Sequence, residues 1–124
     1  MKILITGACG HIGSYLSENI YKIKKVSKAI LIDNLKSNRF NSLFHSQKKN
    51  NLNFFVRDLN NINCLDDINN IDTIIHCASM TNAEKSFSKE KEMYKNNLNA
   101  MKTVIRYCKK KNTKLIHISS TSVY

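Results

Sequence analysis

Gly7, Gly10 and Gly13 are the only 3 glycines in this chain, which has no proline, and they stand together in Thr6-Gly7-Ala8-Cys9-Gly10-His11-Ile12-Gly13. A chain so sparing of glycine keeps it where no other residue serves. At this spacing the chemistry is phosphate binding. One glycine permits a sharp turn, the next lets the backbone approach a pyrophosphate, and the third lets a helix pack closely on a strand. A helix that starts there also offers unpaired N–H groups and a partial positive charge to an anion. Asp33 stands twenty residues after Gly13, where a carboxylate can accept hydrogen bonds from ribose hydroxyls. Loop and acid together point to a dinucleotide. Asp33 repels a 2′-phosphate, which favours NAD over NADP. Lys36 and Arg39 leave that choice open, because a nearby cation can accommodate the phosphate.

These residues need elements to position them. Lys2–Thr6 is a short apolar run ending at glycine, which predicts a buried strand. His11 to about Lys24 carries Ile12, Tyr15, Leu16, Ile20 and Ile23 at helical spacing. Lys28–Asp33 is a second strand and Leu52–Arg57 a third, followed by Asp58. Between them, 34–51 reads as a polar loop with one helical turn near Leu43 and Phe44. Ile62–Ile68 is expected to be a short helix, and Asp72–Ala78 a fourth strand. A long helix fits Ser88 to about Lys111, with Met93, Leu98, Met101, Val104, Ile105 and Cys108 along one side and Lys109–Lys111 at its C-terminus. Lys114–Ser119 is the fifth strand. Strands alternating with helices argue for an α/β fold, a Rossmann-type doubly wound parallel sheet of five strands. No linker, repeat or low-complexity tract divides residues 1–124, which read as one NAD-binding domain.

Composition sets the other bounds. The net charge is +11 with a pI near 9.6, which invites a nucleic-acid reading. The basic residues are mostly lysine and are scattered along the chain, so a specific nucleic-acid partner is not expected. Cys9, Cys64, Cys77 and Cys108 form no C-x-x-C pair and no metal-ligand spacing with histidine. Reduced thiols in a cytoplasmic protein are the expectation, with no bound metal. Cys9 reads as a small residue tolerated in the turn, and His76 as a strand residue facing the core. The apolar run after Met1-Lys2 is too short for a signal peptide, and no stretch approaches a membrane span.

With these residues placed, the sequence resembles the extended short-chain dehydrogenase/reductases, and among them the UDP-glucose 4-epimerase-like, NAD-dependent epimerase/dehydratase group. The motifs are T-G-x-x-G-x-x-G at Thr6–Gly13, D-N-L at Asp33–Leu35, an acid at Asp58, H-x-A at His76–Ala78, an Asn in the long helix, and S-S-x-x-V-Y at Ser119–Tyr124. The resemblance implies that Gly7, Gly10, His11, Ile12 and Gly13 face the pyrophosphate. It implies that Asp33 and Asn34 bind the adenosine ribose, with Ser37 and Asn38 nearby, and that Asp58 accepts from the adenine amino group beside Leu59. Cys77, Ala78 and Ser79 would line the nicotinamide side, and Asn96 would reach the cofactor from the long helix, where Asn97 would hold that helix to the strand ends. Ser120 would be the active-site serine that hydrogen-bonds the substrate.

Two departures stand out. Thr81 occupies a position where related epimerases often carry Lys, and Ala100-Met101 replaces a usual Gly-Thr. The resemblance also implies a catalytic Tyr-x-x-x-Lys helix and a substrate domain beyond Tyr124, with no such pair expected before it. Tyr21 lies on the wrong helix, and Tyr124 matches a structural tyrosine. The implied whole is a nucleotide-sugar epimerase or dehydratase working through a 4-keto sugar, with these 124 residues inactive alone and a homodimer formed only with the C-terminal part. The alternative is a non-catalytic NAD-binding regulatory module.

Overall fold

The computed structural model describes residues 1–39, 51–80 and 86–119, the side chains of 86–89 excepted. The helical turn expected near Leu43 and Phe44, together with Thr81, Ser120 and Tyr124, lies outside the described residues.

Five short apolar runs form one parallel sheet: β1 (Lys2–Thr6), β2 (Lys28–Asp33), β3 (Leu52–Val56), β4 (Thr73–His76) and β5 (Lys114–His117), in the order β3-β2-β1-β4-β5. Register places Thr6 opposite both Ile32 and His76, Asp33 opposite Val56, and His76 opposite His117. The C-terminal ends of the strands therefore share one edge, the edge where an open α/β sheet binds its ligand. Neighbouring residues within a strand face opposite sides, and both sides are covered. Leu4, Ile32 and Ile74 pack with Leu59, Leu65, Ile68, Ala100, Val104 and Tyr107 on one face. Ile3, Ile5, Leu31 and Ile75 pack with Ala8 and Ile20 on the other. Burial on both faces explains why the inner strands β2, β1 and β4 read as apolar runs.

Among the described residues two helices, with the turns at 59–68, supply the cover. α1 spans His11–Asn19 and tightens into a 3₁₀ turn at Ile20–Lys22, short of the expected end at Lys24. α2 spans Ser86–Lys111. Its last turn closes at Asn112, whose φ of 51° is left-handed, while the Thr113 N–H reaches back to the Cys108 carbonyl at 3.0 Å. Asn takes the place glycine commonly fills in this C-terminal cap. Asn38 and Asn70 hold the same left-handed conformation elsewhere, which leaves glycine to the one loop that requires it.

The segment 59–68 is not the expected helix. It is a run of turns with i to i+3 bonds, including Cys64 N–H to Asn61 and Ile68 N–H to Leu65. Side chains capture its backbone donors: Asp58 Oδ1 accepts from Asn60 N–H, and Asn61 Oδ1 from Asn63 N–H. Those bonds cap the start of the segment, but beyond it the backbone bonds run to i+3, from Asp66 N–H to Asn63 and from Ile68 N–H to Leu65, and no i to i+4 ladder follows. The freed carbonyls are met by α2, where Thr103 Oγ1 donates to Leu59 at 2.7 Å, Arg106 to Ile62 at 2.8 Å, and Tyr107 Oη to Ile68 at 3.1 Å. The inward line of α2 is therefore Ala100, Thr103, Val104 and Tyr107, all buried, whereas Leu98 and Ile105 are exposed. That corrects the side chosen from periodicity, because donors for buried carbonyls had to stand among the apolar contacts.

His76 is a core residue, as expected. It is 1% exposed, its Nδ1 lies 2.7 Å from Thr6 Oγ1, and its ring stacks on His117 at 5.4 Å. Burial, with a smaller contribution from His117, lowers its pKa from 6.5 to about 4. Between those values the unfolded chain binds a proton that the folded chain does not. Stability from neutral His76 is thus complete above the unfolded pKa and is lost as pH falls towards the folded one. Urea unfolding should show a loss of roughly 2 kcal/mol between about pH 7.5 and 5, and His76→Gln should remove most of that slope. A wild-type stability that stays flat over this range would contradict the assignment.

Candidate dinucleotide site

At the C-terminal edge of β1 the chain turns through Gly7 at φ +68°, a conformation costly for any residue with a Cβ. A Cβ there would also lie 2.6 Å from the Ala78 backbone. At Gly13, inside the first turn of α1, a Cβ would lie 2.0 Å from the Gly7 carbonyl oxygen. These two glycines are required by the fold. Gly10 is different: its φ of −71° and ψ of 171° suit any residue, and a Cβ would meet only the Gly7 oxygen, at 3.2 Å. A Cβ at Gly10 would thus press on one backbone oxygen but is far less obstructed than at Gly7 or Gly13, and Gly10 stands at the N-terminus of α1, where unpaired N–H groups favour an anion. No side chain caps this helix. His11 and Ile12 are exposed there, with Cys9 buried behind them.

Asp33, 9% exposed at the end of β2, clamps this loop. Its Oδ2 accepts from Cys9 N–H at 2.9 Å and its Oδ1 from Leu35 N–H at 2.8 Å. Each oxygen keeps a lone pair for a further donor. After Asp33 the chain folds back tightly: Leu35 and Asn38 take positive φ, Asn34 Oδ1 accepts from Lys36 N–H, and Leu35 carbonyl accepts from Asn38 N–H. Asn34 is half-buried, and Ser37 and Asn38 are exposed beside it.

Asp58 follows β3 next to Asp33, since Arg57 N–H bonds the Asp33 carbonyl at 2.9 Å. Asp58 Oδ2 accepts from Lys36 Nζ at 2.7 Å, and Oδ1 from the Asn60 backbone and side-chain amides. Partial burial alone would raise its pKa. The donors from Lys36 and Asn60 outweigh burial and hold it at about 2. From Asn60 an amide chain crosses to α2: Asn60 Nδ2 donates to Asn96 Oδ1 at 2.7 Å, and Asn96 lies 3.3 Å from Asn97 Oδ1. Asn97 in turn grips the loop after β4, accepting from Met80 N–H at 2.7 Å and donating to its carbonyl at 3.2 Å.

Thus the sheet edge brings together the glycine loop, Asp33, Asn34, Asp58, Cys77, Ala78, Ser79 and Asn96. Leu59, 5% exposed, is instead packed in the core under α2. The sequence reading missed Asn60 and the Lys36–Asp58 pair, for which a run of Asn beside Asp58 was the available signal. Ser120 lies outside the described residues. Among the described residues no cluster of metal-ligating side chains is present, and no helix is long and apolar enough to cross a membrane.

The expected absence of Tyr-x-x-x-Lys requires correction. Tyr21 and Lys25 have that spacing, as do Tyr107 and Lys111. Neither pair stands at the site. Lys25 carbonyl holds the Met1 amino group at the start of β1, and Lys111 Nζ holds Asn69 just before β5 begins. Both are at the opposite edge of the sheet, and the buried Tyr107 hydroxyl is engaged by Ile68.

The comparisons with known proteins agree with this geometry. Residues 3–124 match the model of the NAD dependent epimerase/dehydratase family. The chain is 34% identical over 128 residues to a dTDP-D-glucose 4,6-dehydratase of Dictyostelium discoideum, covering 99% of this chain and 30% of that protein. It is 32% identical to a UDP-glucose 4-epimerase of Yersinia enterocolitica, covering 100% of this chain and 38% of the relative. A UDP-glucuronic acid 4-epimerase of Bacillus cereus, solved with UDP-glucuronic acid and NAD, superposes with a TM-score of 0.82 at 29% identity, over 100% of this chain and 41% of its own. A dTDP-glucose 4,6-dehydratase of Streptomyces venezuelae shares the fold at a TM-score of 0.86 and 21% identity, over 94% of this chain and 38% of its own. The chain spans well under half the length of these proteins. By a family match over residues 3–124, on a parallel α/β sheet with a glycine loop after β1 and an acid at the end of β2, this chain belongs to the NAD dependent epimerase/dehydratase family.

Proposed function

We propose that this chain is the NAD-holding part of a nucleotide-sugar epimerase or dehydratase. The observation that carries the reading is the division of labour among the glycines. Two are demanded by packing, while at Gly10 the backbone conformation suits any residue and a Cβ would meet a single backbone oxygen, tightly, at 3.2 Å. The open backbone of Gly10 and the α1 N-terminus would receive the pyrophosphate, and the free lone pairs of Asp33 the ribose hydroxyls. Asp58 would face the adenine end, and Cys77, Ala78 and Ser79, steadied by Asn97, the nicotinamide end. When bound, NAD supplies the hydride acceptor for oxidation of a sugar hydroxyl to a 4-keto group.

The part of the chemistry that belongs to this chain is positional. Ser120, three residues beyond β5, would hydrogen-bond the hydroxyl being oxidised. Proton removal needs a base of suitable pKa within hydrogen-bond reach, and no described side chain stands so placed. The base would come from a Tyr-Lys pair beyond Tyr124, and so would the groups that select the sugar.

Three outcomes test this. Gly10→Ala should fold nearly as well as wild type yet bind NAD on the order of tenfold or more weakly, for the loss of backbone hydrogen bonds. Gly13→Ala should fail to fold stably, because its Cβ has no room. Calorimetric titration with thermal melts separates the two, and equal NAD affinity in Gly10→Ala would overturn the site. Asp33→Ala should cost about 1.5–3 kcal/mol of NAD binding and some stability, since Cys9 and Leu35 N–H lose their acceptor. Lastly, these 124 residues alone should turn over no nucleotide sugar in a coupled assay. Turnover above that of a Ser120→Ala control would require a proton-transfer group that this reading lacks.

A further inference from the structure

We infer that Asp58 sets the dinucleotide preference by holding Lys36 away from the ribose acid, so that the chain refuses a 2′-phosphate only while the Lys36–Asp58 pair is intact. The inference rests on the dinucleotide reading and adds a specificity device to it. Lys36 stands three residues after Asp33 in a tight turn, with its own N–H fixed by Asn34. From there its ammonium could serve a phosphate on the ribose. Instead Nζ lies 2.7 Å from Asp58 Oδ2, across the gap between the ends of β2 and β3.

The carboxylate that holds it is itself fixed. Asn60 donates twice to Asp58 Oδ1, and Asn60 is held by Asn96 and Asn99 of α2. Asp58 is therefore a rigid acceptor, and Lys36, 69% exposed at its side chain, is the partner that can move. A 2′-phosphate approaching Asp33 meets one carboxylate without a free cation from Lys36 to offset it. With Asp58 neutralised, the same ammonium is released three residues from Asp33, and a charge-assisted bond to the phosphate becomes available. Asp58 is a positioning residue here, acting through Lys36.

Four proteins test this: wild type, Lys36→Met, Asp58→Asn and the double variant, each titrated with NAD and with NADP. Arg39 is constant throughout, so its contribution cancels. Any adenine contact of Asp58 affects both ligands and cancels in their ratio. Asp58→Asn should narrow the NAD-over-NADP margin by roughly two- to fivefold. The double variant should restore the wild-type margin, and Lys36→Met alone should keep it. An unchanged margin in Asp58→Asn, or equal narrowing in the single and double variants, would overturn the inference.

A ligand-free measurement separates this from failure of the dinucleotide reading. The Asp58 carboxyl carbon, followed by NMR, should titrate at about 2 in wild type and higher in Lys36→Met. An Asp58 that titrates identically in both would refute the pair itself. NAD binding by none of the four would overturn the dinucleotide reading and the specificity device with it.

Discussion

Between the end of β1 and the start of α1 two backbones meet where no side chain fits. A Cβ on Gly13 would stand 2.0 Å from the Gly7 oxygen, and one on Gly7 would enter the Ala78 backbone. Everything at the sheet edge depends on that contact. It sets α1 against the end of β1 so that its N-terminus opens beside Gly10. It also lets the β1 loop touch the residues after β4, linking the two strands whose ends would hold the two halves of a dinucleotide. The Asp33 clamp on Cys9 N–H then ties the third strand end to the same loop. A change at Gly7 or Gly13 disturbs three strand ends together, whereas a Cβ at Gly10 would press on a single backbone oxygen.

The second organising contact is polar and runs between α2 and the turns after β3. Thr103, Arg106 and Tyr107 donate to the carbonyls of Leu59, Ile62 and Ile68. Asn96 and Asn99 hold Asn60, and Arg106 also makes a two-pronged pair with Asp66 at 2.9 and 3.0 Å. The surface ion pairs contribute little alone, roughly 0–1 kcal/mol each. The buried donors matter more, because an unsatisfied buried carbonyl costs about 1–3 kcal/mol. Through this seam, the position of Asp58 at one end of the site is tied to that of Met80 near the other.

The sequence showed the strands well for a simple reason. Buried on both faces, β1 and β2 are continuous apolar runs with sharp ends, and the expected bounds Lys2–Thr6 and Lys28–Asp33 are those observed. Elsewhere the expected strands ran one or two residues too far, as at Lys114–Ser119 against Lys114–His117. Periodicity erred where tertiary hydrogen bonding decided the outcome. Ile62, Leu65 and Ile68 have helical spacing, but Asp66 and Ile68 N–H bond only three residues back, and the Ile62 carbonyl that a helix would use is taken by Arg106. Leu98 and Ile105 look like core, but Thr103 and Tyr107 hold those inward positions because distant carbonyls need their hydroxyls. The glycine loop and Asp33 were legible because their demand is local. The Lys36–Asp58 pair was not, since its partners are 22 residues apart and meet only once β2 and β3 are paired.

The charge distribution bears on catalysis as well. With 9 acidic residues against 20 basic ones, carboxylates are scarce, and all five aspartates are committed as acceptors. Asp33 holds Cys9 and Leu35 N–H, Asp58 holds Lys36 and Asn60, Asp66 holds Arg106, Asp67 holds Arg57, and Asp72 holds Lys2 N–H at 2.7 Å. In Asp58, Asp66 and Asp67 such partners lower the pKa and favour the ionised form. A carboxylate stabilised in that way is a poor base at neutral pH, because a useful base has a pKa near the working pH. His76, the buried imidazole at the sheet edge, is pushed the same way, to about 4, and its Nδ1 is engaged by Thr6. The described side chains nearest the site are thus tuned to hold fixed charges and fixed shapes. That suits a surface that would orient a dinucleotide, and it leaves these side chains ill-suited to take a proton at neutral pH.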